Sequence, residues 1–245
     1  NGAGTGHAAR CPGAMSQLAR WLKRLVLGFV ALLLLYQLWL FGWVLWWNWV
    51  NPDNTRFMTI RLDELRVKDP QAQLKKQWAG YDRISANLKH ALIAAEDAKF
   101  VDHEGFDWEG IQNAIEKNQK KGRIVAGGST ISQQLAKNLF LTPAKTPWRK
   151  AEEAVITLML ETVWSKQRIF EVYLNVIEWG NGVFGAEAAA RHYYGVSAAQ
   201  LSREQAARLA GMVPSPRFYD RNRNAPGLAR KTAIILARMP SADVP

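Results

Sequence analysis

Between Leu25 and Asn48 no residue carries a charge, and the apolar run LVLGFVALLLLYQLWLFGWVLWWNWV continues to Val50. A helix needs about 20 apolar residues to cross the hydrocarbon core of a bilayer, so this run can span it with some tilt. Trp43, Trp46, Trp47 and Trp49 gather at its far end, and indole rings favour the membrane–water interface. Arg20, Lys23 and Arg24 stand just before it, which by the positive-inside rule leaves the N-terminus in the cytoplasm and exports the rest. A cleavable signal has an apolar stretch of about 7–15 residues closed by small side chains. This run is longer and closes on Trp and Asn. The expectation is one N-terminal transmembrane helix over 25–50, a permanent anchor, after a cytoplasmic segment 1–24. Residues before Met15 read as an unstructured leader, with Met15 as the natural start.

The only cysteine, Cys11, falls in that leader, so the exported part has no thiol, disulfide or cysteine metal ligand. The four histidines, His7, His90, His103 and His192, are far apart and form no HExxH spacing. No zinc site is expected. Roughly 190 residues follow the anchor, enough for one domain. The net charge is +11. For an exported, anchored domain this points away from nucleic acid and toward anionic lipid head groups or a phosphorylated substrate.

After the anchor, 51–84 is polar and mixed, and reads as a linker and membrane-proximal segment with a short strand over Arg56–Leu62. Leu88, Ala91, Leu92 and Ala95 recur with helical spacing, predicting an amphipathic helix over 85–98. A helix is expected over 108–118, then a basic loop over 118–128 with Lys120, Lys121 and Arg123. Thr130 with Gln133 three residues on forms a capping-box pattern opening a helix to Phe140. Thr146-Pro147 marks another start, with Pro at the first helical position. Ala154–Leu160 is apolar nearly all round, so that helix is expected to be buried. Further helices are expected over 167–177, 184–194, 202–212 and 225–238. Strand signals are scarce, and the domain is expected to be mainly α.

Three places could carry chemistry. Glu96 borders the apolar stripe of its helix, where partial desolvation raises a carboxylate's pKa and suits it to general-base duty. A helix-end acid paired to a lysine is the plainer account of that position. Glu152 and Glu153 fit the first turn of the helix opened by Pro147, where negative charge is favourable. Arg149 and Lys150 beside them are unfavourable there, which suggests a bound anion. Gly127-Gly128-Ser129-Thr130 precedes a helix N-terminus whose N–H groups can cradle an anion, although the glycines could equally form only a turn.

The segment EDAKFVDHEG (96–105) resembles the signature EDxxFxxHxG of peptidoglycan glycosyltransferases, the enzymes that polymerise the glycan of the bacterial cell wall. Four more segments match this family in the same order: GGSTISQQLAKN (127–138), RKAEE (149–153), KQRIFEVYLN (166–175) and GNGVFGAEAAARHYYG (180–195). Ser132 stands where the family usually has Thr, and keeps the hydroxyl. The SxxK and KTG motifs of a transpeptidase domain are absent, so the resemblance is to the monofunctional branch.

The resemblance implies a lysozyme-like α-helical glycosyltransferase domain over 85–245 at the bacterial inner membrane, on its periplasmic side. It implies lipid II and the nascent glycan chain as substrates, polymerised with inversion at the anomeric carbon. Membrane lipids and other cell-wall synthesis and division proteins are the further partners it suggests. By motif position Glu96 would be the general base, and Glu153 a second catalytic acid orienting the donor or its basic neighbours. Lys137, Arg149 and Lys150 would stabilise the leaving pyrophosphate, with Lys145 a less firm addition. Ser129, Gln133 and Gln134 would supply hydrogen bonds to sugar or phosphate. Asp97 and His103 read as structural, and Glu171 as a packing residue. No cofactor is required by the sequence; a divalent cation, Mg or Mn, helps some relatives, and no metal site is dictated. A glycan-cleaving lysozyme-type enzyme is the first rival, but it has no leaving pyrophosphate to neutralise. A non-catalytic scaffold is the second.

Overall fold

The computed structural model describes residues 12–123 and 127–245, with side chains from Gln17 onward. Residues 1–11, including most of the expected leader and Cys11, and 124–126 of the expected basic loop lie outside the described residues. The chain divides into two units, 1–43 and 44–245. Among the described residues there are eleven α-helices and three short strands, which is the mainly α fold expected.

Helix α1 runs from Pro12 to Trp49, and its stretch Gln17–Trp49 is long and apolar enough to cross a membrane. Its helical start at Pro12 corrects the expectation that everything before Met15 is unstructured; proline is compatible with a first turn because the N–H it lacks would be unpaired there. The last residues, Val44–Trp49, belong to the second unit. There Trp164 Nε1 donates to Val44 O at 2.8 Å, Arg168 donates to Trp47 O at 2.8 Å, and the Trp47 ring lies 5.1 Å from that of Phe140. A helix end leaves carbonyls without intrahelical donors, and Arg168 supplies one of those missing.

The expected strand over 56–62 is instead helix α2, Arg56–Arg66. Thr55 caps it, accepting from Met58 N at 3.2 Å. The inward positions Met58, Arg61, Leu62 and Leu65 recur at helical spacing, so burial and cap outweigh the β-like appearance of RFMTIRL. The segment expected as a linker is thus a folded part of the second unit. Asn175 fixes its far end, donating to Ala79 O and accepting from Ala79 N, both at 2.9 Å.

Helix α3, Ala86–Glu96, buries the predicted stripe Leu88, Ala91 and Leu92. Helix α4, Trp108–Lys121, runs past the predicted end and stops at Gly122, whose φ of 60° is the left-handed region glycine favours. Lys120 and Lys121 are therefore in its last turn rather than in a loop. Helix α5, Ile131–Phe140, has the predicted capping box. Helix α6, Pro147–Val163, starts where expected with Thr146 as cap. Its middle is not buried all round: Ile156, Thr157 and Leu160 are buried, while Val155 is 40% and Leu158 53% exposed. Only one face of α6 packs on α5. Glu152 and Glu153 are its sixth and seventh residues, past the first turn expected for them.

Helix α7, Lys166–Val176, also packs on α5. Strands β1 (Lys75–Lys76), β2 (Glu178–Gly180) and β3 (Val183–Phe184) follow the order β1-β3-β2. Lys75 pairs in parallel with Val183, and Glu178 antiparallel with Phe184, with an irregularity before Gly180. Helices α8 (Ala186–Tyr194), α9 (Arg203–Met212), α10 (Pro216–Arg221) and α11 (Pro226–Arg238) complete the unit. Helix α9 sits between α3 and α11. The core is centred on α5 and α7, where Ile131, Leu135, Phe170 and Tyr173 are completely buried.

Candidate active site

The turn after α3 is tied to the start of α5. The Asp97 carboxylate accepts from Ile131 N at 2.9 Å and meets His103 Nε2 at 3.0 Å. Thr130 Oγ1 donates to Gly105 O at 2.7 Å. Gly105 has φ 87°, and a Cβ there would stand 2.8 Å from the Thr157 methyl, so no other residue fits this position easily. Below it, Lys166 bonds His103 O, pairs with Glu161 at 2.8 Å and lies 4.6 Å from the Phe100 ring centre. Asp97 and His103 thus hold the turn together, the structural part expected of them.

This bracing fixes Glu96, the last residue of α3. Its Oε2 accepts from Gln134 Nε2 at 2.9 Å, and Gln134 Oε1 accepts in turn from Tyr173 Oη at 2.9 Å. The chain of three orients one carboxylate oxygen and commits the amide in a single sense. Burial pushes the Glu96 pKa above the ordinary carboxylate value, against the Gln134 hydrogen bond and the charges of Lys231 and Lys137, which pull it down. Burial likewise pushes the Tyr173 hydroxyl well above its usual range, so it remains a donor.

The positive groups come from α5 and α6. Arg149 and Lys150 both bond the buried Glu153 carboxylate, and Lys150 Nζ reaches Ser129 Oγ at 3.3 Å. Burial lowers the pKa of Lys137; the negative charge of Glu153 raises it, and Arg149 and Lys150 lower it further. These groups therefore act on one region of space. Lys145 lies exposed in the connection before α6.

Two polar clefts are lined by these groups. One, about 200 Å³, is lined by Glu96, Asp107, Gly127, Gly128, Ser129 and Arg238. The other, about 190 Å³, is lined by Gln134, Lys137, Asn138, Glu178, Pro214 and Arg217. Gln134 lines the second while holding Glu96 in the first. Gly128 permits the close approach of α4, since a Cβ there would stand 3.1 Å from Ile111 Cα.

The structure brings together Glu96, Gln134, Lys137, Ser129, Arg149, Lys150 and Glu153. Gln133 stands apart from its expected place at the substrate. It is 3% exposed, and its Oε1 accepts from Thr130 N at 3.0 Å, so it acts by fixing the Gly127–Thr130 turn. The adjacent glutamines point to different sides of α5, a consequence of the 100° step between helical neighbours. The sequence reasoning missed Lys231 and Arg238. They flank Glu96 in a hollow of about 160 Å³ with Gly211 and Ile235. Their spacing of seven on α11 places both on one face. Among the described residues no group of three His, Cys, Asp or Glu side chains converges to hold a metal ion.

A desolvated carboxylate beside a cluster of cations is the arrangement of a candidate enzyme site, and comparison with known proteins gives its family. The model of the transglycosylase family matches residues 63–240, and the chain belongs to that family. It is 78% identical over 231 residues to the biosynthetic peptidoglycan transglycosylase of Dechloromonas aromatica (strain RCB), covering 94% of this chain and 100% of that protein. The proteins of the same name from Nitrosospira multiformis and Chromobacterium violaceum are 64% and 62% identical, over 92% and 93% of this chain and 98% and 100% of their own lengths. The chain is accordingly a glycosyltransferase.

Proposed function

We propose that this chain polymerises lipid II, a disaccharide-pentapeptide on a polyprenyl pyrophosphate, into the β-1,4-linked glycan of peptidoglycan. The family and the names of its relatives support peptidoglycan transglycosylation in cell-wall synthesis. The observation that carries the finer reading is Glu96, a half-buried carboxylate with raised proton affinity, held by one amide beside a cluster of cations. A sugar hydroxyl is a poor nucleophile near neutral pH and needs a positioned base. Glu96 takes the proton of the acceptor 4-hydroxyl as its oxygen bonds to the anomeric carbon of the growing chain. The opposite bond, to the pyrophosphate oxygen, breaks with its electron pair, and the linkage inverts from α to β. Lys137, Arg149 and Lys150 offset the charge that develops on the pyrophosphate, and Glu153 keeps the last two in place. Ser129 and the Gly127–Thr130 turn supply hydrogen bonds at the rim. Every step here uses this chain's own groups. A divalent cation, Mg or Mn, would have no ready-made set of acidic ligands among the described residues.

In this reading the chemistry lies at the inner membrane, with the N-terminus cytoplasmic and the catalytic unit periplasmic; the length and apolar character of α1 support an anchor. Lipid II keeps its tail in the bilayer, so a membrane-held enzyme meets it in two dimensions. The test is gel analysis of products from labelled lipid II. Glu96→Gln is expected to abolish polymer while the protein melts as a folded unit, and polymer at near wild-type rate would remove the base assignment. Release of fragments from finished cell wall, with no polymer from lipid II, would instead make this a glycan-cleaving enzyme.

A further inference from the structure

The second cleft contains an acid that the reaction as described does not use. Glu178 is 6% exposed and lines the same cleft as Lys137. Its Oε1 is fully engaged, accepting from Arg61 Nε at 2.9 Å and from Gly182 N at 3.2 Å. Arg61 is itself 8% exposed and also bonds Glu64 and Asn181. Oε2 is different. Among the described residues no hydrogen bond reaches it, and the nearest cation is Arg217 Nε, at 3.8 Å, too far to be one. Oε2 is not sealed in the wall: it opens to the cleft, and its donor comes from what the cleft holds, water or a ligand.

The other groups there narrow the choice of ligand. A carboxylate repels phosphate, so Oε2 is not a pyrophosphate contact; it accepts from O–H or N–H. Gln134, Asn138 and Arg217 add amide and guanidinium donors to the same walls. The volume, about 190 Å³, suits one pyranose ring. The geometry points to Glu178 as a sugar-binding residue: its Oε2 accepts from a hydroxyl or acetamido N–H of the glycan, next to the Lys137 end where the charged group lies, with Arg217 as a second sugar contact at the edge. This assignment rests on the glycan-polymerising function proposed above and adds a sugar subsite to it. It also explains why α2 is folded against the domain, since Arg61 from α2 holds the Oε1 side of the carboxylate.

Glu178→Gln tests this without changing shape. The amide keeps an oxygen for Arg61 and Gly182 and turns the cleft-facing atom from acceptor into donor. With lipid II as substrate, KM is expected to rise about ten-fold, the scale of one hydrogen bond to a charged group, with kcat within about three-fold. Inhibition by inorganic pyrophosphate should be unchanged, whereas Lys137→Ala should weaken it. An unchanged KM, a loss confined to kcat, or pyrophosphate inhibition that weakens in step with KM would overturn the assignment. If Glu178→Gln fails to fold, Arg217→Gln decides, because Arg217 is half-exposed and outside the core: a rise of about three-fold in KM, with pyrophosphate inhibition intact, is expected for one weaker polar contact, and no change would overturn the idea. Loss of all polymerisation in Glu96→Gln stands independently of either result, so failure of this subsite leaves the assigned base untouched.

Discussion

Half-buried Glu96 and buried Glu153 both act on the charge of Lys137, yet their surroundings are opposite. Glu96 closes a helix at its C-terminal end, where the dipole disfavours negative charge, and among the described residues its hydrogen-bond partner is a neutral amide. Glu153 is bonded by two cations that lie near the N-terminal end of α6, where the dipole disfavours positive charge. Each helix thus has the wrong sign at its end. At Glu96 nothing fully compensates, and the group is left eager for a proton. At Arg149 and Lys150 the acid one turn later compensates, and the cations are held together for use. The same residue type gains proton affinity in one environment and holds two cations together in the other.

The contrast can be broken experimentally at several points. The largest effect after Glu96 itself is expected for Lys137→Ala, which should slow turnover of lipid II by about 10²–10³, the cost of removing one preorganised charge-stabilising group. A normal rate would take Lys137 out of the chemistry. Glu153→Gln should follow, lowering unfolding free energy by about 3 kcal/mol, the low end for a broken buried pair, because Arg149 loses its partner. Denaturant melts would show it, and unchanged stability would mean that the cations do not need the acid. Gln134→Leu should act on pH dependence. Its hydrogen bond favours the ionised form of Glu96, so losing it raises that pKa further. The acid limb of the kcat/KM profile should move to higher pH, and activity in mildly acidic buffer should fall more than in alkaline buffer. A limb that stays in place would separate Gln134 from the base. The smallest effect is expected for Thr130→Ala, about 1 kcal/mol of stability from a lost cap, read as a lower Tm with KM nearly unchanged.

The sequence reveals elements where local rules decide. The capping box at Thr130 and the Pro147 start are visible in single residues, and each forms as predicted. Helix α2 is hidden because its apolar residues can alternate like a strand's, and only the Thr55 cap and packing on α5 choose between the two. The site is half legible. Motif resemblance marks residues 96–153, which are close together in the chain. Lys231 and Arg238 come more than a hundred positions after Glu96, and the packing of α3, α9 and α11 brings them to it. Gln133 and Gln134 look equivalent in the sequence, and a helical step of 100° separates them.

The hydrogen bonds from Trp164 to Val44 and from Arg168 to Trp47 have a mechanical consequence. The stretch Val44–Trp49 is held by the catalytic unit itself rather than left as a slack connector. Trp164 and Arg168 grip its backbone, and the Trp47 ring rests on Phe140 at the end of the helix that carries Lys137. A soluble version cut after Val50 would remove a strut of the catalytic unit, whereas a cut before Val44 would spare it.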